Sequence, residues 1–342
     1  MNPMSKKALL EHPATVPAAA DGKAKSARRP RRNLWFTAGP FAVFLALFAL
    51  VAILRPAFLT GGGMAILAVQ AATILLVALG QAMVLHVGSI DLSNAAIVIF
   101  AAIILAQTLG PLGPAAPVVT LGVVTLIGAA NGFLVAFGQI PSFALTLGTL
   151  GILQAASLVI SNATTVYATA NSQLLAPLFG TAFAGLPLAF WVGVLMAVGL
   201  WAFLRFTRAG EGMTAVGLNE KGALFSGLRT RWFKVLAFAL SGLLAGLAGI
   251  LVIAQAGAAS SFGLGSDLLL PGIAAAIVGG TAITGGTTNP INIVFGALTV
   301  ALVPIGAAAV GVTPQAQSLV YGLVIIAAVA LTMGRGHTEV VK

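Results

Sequence analysis

From residue 34 onward the chain is a succession of long apolar runs separated by short polar or Gly/Pro-rich joints. The runs have the length that a helix needs to cross roughly 30 Å of hydrocarbon, about 20 residues. They predict an all-α polytopic membrane protein. The first run, Leu34–Leu54, is followed by Arg55-Pro56. It is longer than a signal-peptide core and no small-residue cleavage site follows it, so it reads as a retained first helix. Further spans are expected at 62–86, 93–109, 115–137, 143–161 and 187–205, then at 235–254, 270–286, 290–310 and 315–333, about ten in all. The stretch 270–310 breaks this pattern most, because Gly279-Gly280 and Gly285-Gly286-Thr287-Thr288-Asn289-Pro290 would also suit a re-entrant turn.

Charge adds an orientation. Lys and Arg cluster before residue 33 and again between Arg205 and Lys234, while Asn33–Leu204 contains only Arg55 and Asp91 as charged residues. Six spans from a cytoplasmic N-terminus return the chain to the cytoplasm at Arg205, where the second basic cluster begins, and four more leave Arg335 and Lys342 there too. The expected organisation is a disordered basic cytoplasmic tail over 1–33, a transmembrane domain over 34–334 with a cytoplasmic loop at 206–234, and a short cytoplasmic tail over 335–342. The longest external segments are expected at 162–186 and 255–269.

Composition excludes more than it selects. The chain is 59% hydrophobic and 7% charged, against about 25% charged residues in a soluble domain. The net charge of +10 follows the ends of apolar helices, which argues for topology and anionic headgroups rather than nucleic acid. The absence of Cys removes disulfides, thiol nucleophiles and Cys-ligated metals. The glycine-rich series at 279–287 has no Gly-Lys-Ser/Thr ending, so it is not a nucleotide-binding P-loop. No metal-ligand cluster and no active site stand out.

Four segments carry polar chemistry inside or between the runs. In Gly88-Ser89-Ile90-Asp91-Leu92-Ser93-Asn94, an ionised Asp at bilayer depth must cap a helix, find a partner or face water. Asp91, Ser93 and Asn94 suit capping of the next span, and broken helices also place such groups beside transport paths. His86 is a nearby candidate partner. Asn131, then Pro141-Ser142 and Leu147-Gly148-Thr149, with Thr146 as a path candidate, form the second group: Ser142 suits a cap, and Asn131 suits a hydrogen bond between helices or a polar route. Thr281 and Thr284 in the glycine series complete the candidate substrate path. The fourth segment is the cytoplasmic loop, where one or two short helices separated near Gly217 are expected. There Met213, Val216, Leu224 and Phe225 suit insertion into a partner's groove, alongside Glu211, Asn219, Glu220 and Ser226.

Four of these features, in this order, resemble the permeases of monosaccharide ABC importers of the ribose, xylose, arabinose and galactose type. They are Gly-Ser-Ile-Asp-Leu-Ser at 88–93; Asn131-Gly132 with Ile140-Pro141-Ser142-Phe143 and Thr146-Leu147-Gly148; Ala215-Val216-Gly217-x-Asn219 with Ser226-Gly227; and the small-residue series from Ser241 to Gly286. The resemblance covers about residues 34–334. It implies a type II importer-like fold, a homodimeric pore in the bacterial inner membrane, a separate cytoplasmic ATPase with tandem nucleotide-binding domains that holds the ATP and Mg, and a periplasmic sugar-binding protein. It makes 206–234 the element that seats on the ATPase, and the chain itself a transport subunit without a cofactor of its own. Ser89, Glu211-Gly212 and Thr287-Thr288-Asn289 depart from the usual pattern. Alternatives are a permease of the same build for branched-chain amino acids or nucleosides, and an ion-coupled secondary transporter, which would ordinarily show more buried carboxylates.

Overall fold

The computed structural model describes residues 34–261 and 266–313, with 316, 319–323 and 326. The expected tails over 1–33 and 335–342, and most of the last expected span, lie outside the described residues. Helices are α1 (Leu34–Leu54), α2 (Gly61–His86), α3 (Asn94–Leu112), α4 (Ala116–Phe137), α5 (Ser142–Ile160), α6 (Pro177–Gly180), α7 (Leu188–Phe206), α8 (Arg208–Leu218), α9 (Glu220–Phe225), α10 (Thr230–Ala256), α11 (Leu269–Val278) and α12 (Pro290–Ala309). Four two-residue strands lie in the joints: β1 (Val166–Tyr167), β2 (Ala182–Phe183), β3 (Leu186–Pro187) and β4 (Ala258–Ala259). β1 pairs antiparallel with β4, and β2 with β3.

Among the described residues six stretches are long and apolar enough to cross a membrane: α2, the α3–α4 stretch, α5, α7, α10 and α12. The α3–α4 stretch is 44 residues long. At 1.5 Å per residue it would far exceed the bilayer as one rod. It folds back at Leu112–Ala115, where Gly113 takes a positive φ, and α3 and α4 pack on each other.

α2 is the central helix: every residue from Ala71 to His86 is buried. A helix that is apolar all round belongs in an interior, and α10, α12, α11 and α7 enclose this one. The most extensive interface is α4 with α10. Here Gly128 and Gly132 lie against the backbone of Phe238–Gly242 and Val235, and Gly242 and Gly246 lie against Val124. Without a hydrophobic driving force between helices in lipid, such close backbone approach is what holds them together.

Contacts at the two ends give the running directions. The end of α2, the end of α4 and the starts of α5 and α10 meet around α8 and α9. At the opposite end Gln107 of α3 donates to the Ile160 carbonyl of α5 (2.7 Å), and β1 meets β4 after α10.

The expected span at 270–286 is shorter in the structure. α11 stops at Val278, and 279–289 is a turn in which Gly280, Gly285 and Gly286 have positive φ. The expected long segment at 162–186 holds α6 and three of the short strands, tied down by Asn171, whose side-chain amide donates to the Leu109 carbonyl (3.0 Å).

Candidate functional site: a broken-helix polar cluster under a surface helix pair

The joint between α2 and α3 is where polar groups converge. Asp91 is fully buried. Its Oδ1 accepts from the Ser93 amide (3.0 Å) and the Ser93 hydroxyl (2.6 Å), and its Oδ2 accepts from the Ser241 hydroxyl of α10 (2.8 Å). The two serines are in turn acceptors: Asn131 Nδ2 of α4 donates to Ser93 (3.0 Å) and Asn94 Nδ2 of α3 donates to Ser241 (2.8 Å). Thr149 of α5 donates to Asn131 Oδ1 (2.8 Å), and Gln81 Nε2 of α2 donates to the Asp91 carbonyl (2.8 Å). Apart from the Gln81 bond, which ends on the backbone carbonyl, the protons in this set run toward the carboxylate. A buried negative charge is tolerated when donors surround it, and here no cation takes part.

α5 is attached to the same joint by its first turns. Ser142 Oγ accepts from the Ile90 amide (3.0 Å), and Thr146 Oγ1 accepts from the Leu92 amide (3.0 Å). These two hydroxyls satisfy amides that the break between α2 and α3 leaves free. Six expected path residues, Asp91, Ser93, Asn94, Asn131, Ser142 and Thr146, therefore come together. Thr281 and Thr284 do not join their hydrogen bonds: Thr281 pairs with Thr288 (2.8 Å), and Thr284 is exposed in the 279–289 turn. Sequence reading gave no path role to Ser241 or Gln81, and quoted Thr149 only as part of its motif. Ser241 was visible only as a small residue in the glycine series, and Gln81 as a polar position within an apolar run.

The loop after α7 builds a helix pair directly beneath. Thr207 caps α8 by accepting from the Gly210 amide (3.1 Å), and Asn219 caps α9 by accepting from the Gly222 amide (3.0 Å). The division between the helices falls at Asn219. Gly217, two residues earlier, is a contact point: a Cβ there would collide with the His86 carbonyl oxygen and with Gly286. His86 does not pair with Asp91. Its Nε2 bonds Thr214 Oγ1 (3.0 Å). Because Thr214 donates its own proton to the Gly210 carbonyl (2.9 Å), His86 is assigned as the Nε2–H tautomer with Nδ1 unpartnered. The His86 carbonyl also accepts from the Gly286 amide (2.9 Å). One residue thus joins α8, the end of α2 and the 279–289 turn.

The expected partner-facing residues divide into two sets. Met213 and Val216 are buried in the chain itself. Glu211, Asn219, Glu220, Leu224, Phe225 and Ser226 are exposed, Phe225 to 88%. Glu220 also pairs with Lys234 (2.6 Å). Among the described residues no group of three or more His, Cys, Asp or Glu side chains could hold a metal ion.

The family described as "Branched-chain amino acid transport system / permease component" matches residues 63–329. The chain is similar to the D-allose transport system permease protein of Escherichia coli, 32% identical over 302 residues, covering 87% of this chain and 91% of that one. It is also similar to the ribose import permease protein of Bacillus subtilis, 32% identical over 297 residues, covering 86% and 91%. The fructose import permease protein of Rhizobium meliloti is 33% identical over 297 residues, covering 84% and 82%. No solved structure gives a significant match. With apolar helices fit to cross a membrane and a family match over most of its length, the chain belongs to this family of permease components, as a multi-pass bacterial inner-membrane subunit of an ABC importer that transports rather than catalyses.

Proposed function

We propose that this chain imports a monosaccharide, that two copies form the pore, and that α8 and α9 are the seat of a separate cytoplasmic ATPase. In this reading about ten spans place both termini in the cytoplasm, and a periplasmic binding protein delivers the sugar. The observation that carries the proposal is the seating of α8. It touches the α2–α3 break through His86 and the 279–289 turn through Gly217. Both are non-helical segments, so a push on α8 is delivered at the joints between helices. From the break the connection passes to α5 through Ser142 and Thr146.

α5 suits the pore wall. Phe143, Leu147, Ile152 and Val159 along it are exposed in a single copy on more than one side of the helix, apolar surface that a second copy and lipid together would cover. The Asp91 cluster then holds the break in shape while Ser142, in the first turn of α5, meets passing substrate. Selection of the sugar rests mainly with the binding protein, and the ATPase partner supplies ATP and Mg. The arrangement fits a type II importer.

The named relatives transport sugars according to their names, which favours the monosaccharide. The family's own description favours the second reading, branched-chain amino acids, and nucleosides remain within the same build. An ion-coupled carrier is less suited: Asp91, the one acidic residue between Asn33 and Leu204, is fully buried and already accepts from three donors.

The test of the seat is ATPase activity of the assembled complex. Charge reversal Glu211→Lys with Phe225→Ala is expected to abolish stimulation of hydrolysis by loaded binding protein while the folded bundle is retained. Unchanged stimulation in that double variant would overturn the seat. Substrate is read separately, by which of ribose, allose, fructose, leucine or a nucleoside the loaded binding protein must carry to raise hydrolysis.

A further inference from the structure

We infer that the cavity between the α4–α5 link and the start of α10 is a binding site for the headgroup of an anionic phospholipid. The cavity holds about 860 Å³ and is bordered by Phe137, Glu220, Arg229, Arg231, Trp232 and Lys234. Lys234 is paired with Glu220 at 2.6 Å. Arg229 and Arg231 are exposed and belong to no ion pair among the described residues. With three cations and one anion on its walls, the cavity carries two uncompensated positive charges that a phosphate would neutralise.

The aromatic groups fix where this site lies relative to lipid. Arg231 sits over the Phe137 ring, 5.4 Å from its centroid, and Trp232 meets the same ring edge-on at 5.5 Å. Trp232 is 56% exposed although α10 is otherwise a membrane helix. Trp beside Arg at the end of a membrane helix is the composition of the headgroup layer. Phe133 stacks on Phe137 at 4.7 Å, and Leu126 continues the same face of α4 at i−7 from Phe133. Both Phe133 and Leu126 are exposed. They give an acyl chain an apolar track leading away from the arginines. A free phosphate would leave most of the cavity unfilled and would not need the track. An uncharged sugar would leave two guanidinium groups without a counter-charge. Basic pockets between membrane helices on the cytoplasmic side have this character in general. The site does not depend on which substrate is transported.

The test is native mass spectrometry of the detergent-purified full chain titrated with phosphatidylglycerol, phosphatidylcholine or glycerol phosphate. The wild-type chain is expected to retain phosphatidylglycerol in preference to phosphatidylcholine. Each arginine contributes about fivefold to that preference, so Arg229→Gln with Arg231→Gln removes about 25-fold. Trp232→Ala is expected to weaken retention of both lipids, and Arg205→Gln, outside the cavity, to leave the preference unchanged. Melting temperature in detergent without lipid checks that each variant is folded. Equal retention of the two lipids by wild type, a preference that survives the double variant, or equal occupancy by glycerol phosphate would overturn the proposal. So would loss of the preference only when the ATPase is bound over the cavity, since the occupant would then be protein.

Discussion

At the scale of single residues, Asp91 matters through the groups that point at it. Removing its carboxylate in Asp91→Ala strands two serine hydroxyls and the Ser93 amide in a buried site. A stranded buried donor costs about 1–3 kcal/mol. Ser241→Ala removes the donor to one carboxylate oxygen and leaves the Asn94 amide only its longer bond to the Ser241 carbonyl (3.4 Å), so its effect is expected to be smaller than that of Asp91→Ala. Thr284→Val, at an exposed position in the turn, is expected to stay within about 0.5 kcal/mol. Thermal unfolding in detergent, followed by size-exclusion chromatography, checks this ranking. A larger effect at Thr284 than at Asp91 would contradict it.

The same cluster shows what a sequence reading can and cannot reach. That Asp91 must be capped, paired or wetted follows from one carboxylate in a long apolar stretch. That Asn131 makes an inter-helix bond follows from its position, whereas Ser142, expected to cap its own helix, instead accepts from the Ile90 amide of the preceding break. The partner Ser241 is 150 residues away in the chain. No local periodicity links two residues so far apart, and a serine beside a glycine reads first as a packing position. His86 was misplaced for a similar reason: its nearest polar neighbour in sequence is Asp91, and its partner Thr214 lies 128 residues on.

At the scale of elements, glycine positions decide which helices can touch. Gly242 faces the Val124 carbonyl and Gly128 with no room for a side chain. Gly242→Leu is expected to part α4 from α10 and to remove the folded, monodisperse peak on size exclusion. Gly148→Ala on α5, where a Cβ meets nothing, is expected to leave that peak unchanged. Gly217→Ala is a different case, since it wedges α8 away from His86 and Gly286 without opening the bundle. It is expected to lower substrate-stimulated ATPase activity of the complex roughly two- to thirtyfold, the range of a coupling change of about 0.5–2 kcal/mol. Wild-type stimulation in Gly217→Ala would mean that α8 transmits nothing through this contact.

Element boundaries were legible wherever apolar length agreed with a flanking Gly or Pro, as for α2, α5 and α7. They were less legible where glycine served two roles. Gly217 reads as a helix breaker, yet α8 runs through it and ends at Leu218, because Asn219 supplies the cap that separates the helices. Gly279-Gly280 does end a helix, because Gly280 takes a left-handed conformation. Composition alone does not separate those cases. Met213 and Val216 show the same limit: apolar residues on a surface loop suggested partner contacts, and half of that set packs inward against the chain.

At the scale of the whole molecule, the charge pattern and the packing agree on one arrangement. The basic residues from Arg205 to Lys234 lie at the end of the bundle that carries α8 and α9, which the positive-inside rule assigns to the cytoplasm. The central helix α2 ends at His86, directly on α8, so the most enclosed part of the bundle is in contact with its most exposed appendage. A permease driven from outside itself needs that connection, whereas a self-sufficient carrier does not. The most direct measurement is uptake of labelled sugar into proteoliposomes containing this chain, with and without its ATPase subunit, in the presence of loaded binding protein. The account predicts uptake only when the ATPase and ATP are both present, and none from an imposed proton or sodium gradient. Gradient-driven uptake by the chain alone would contradict it.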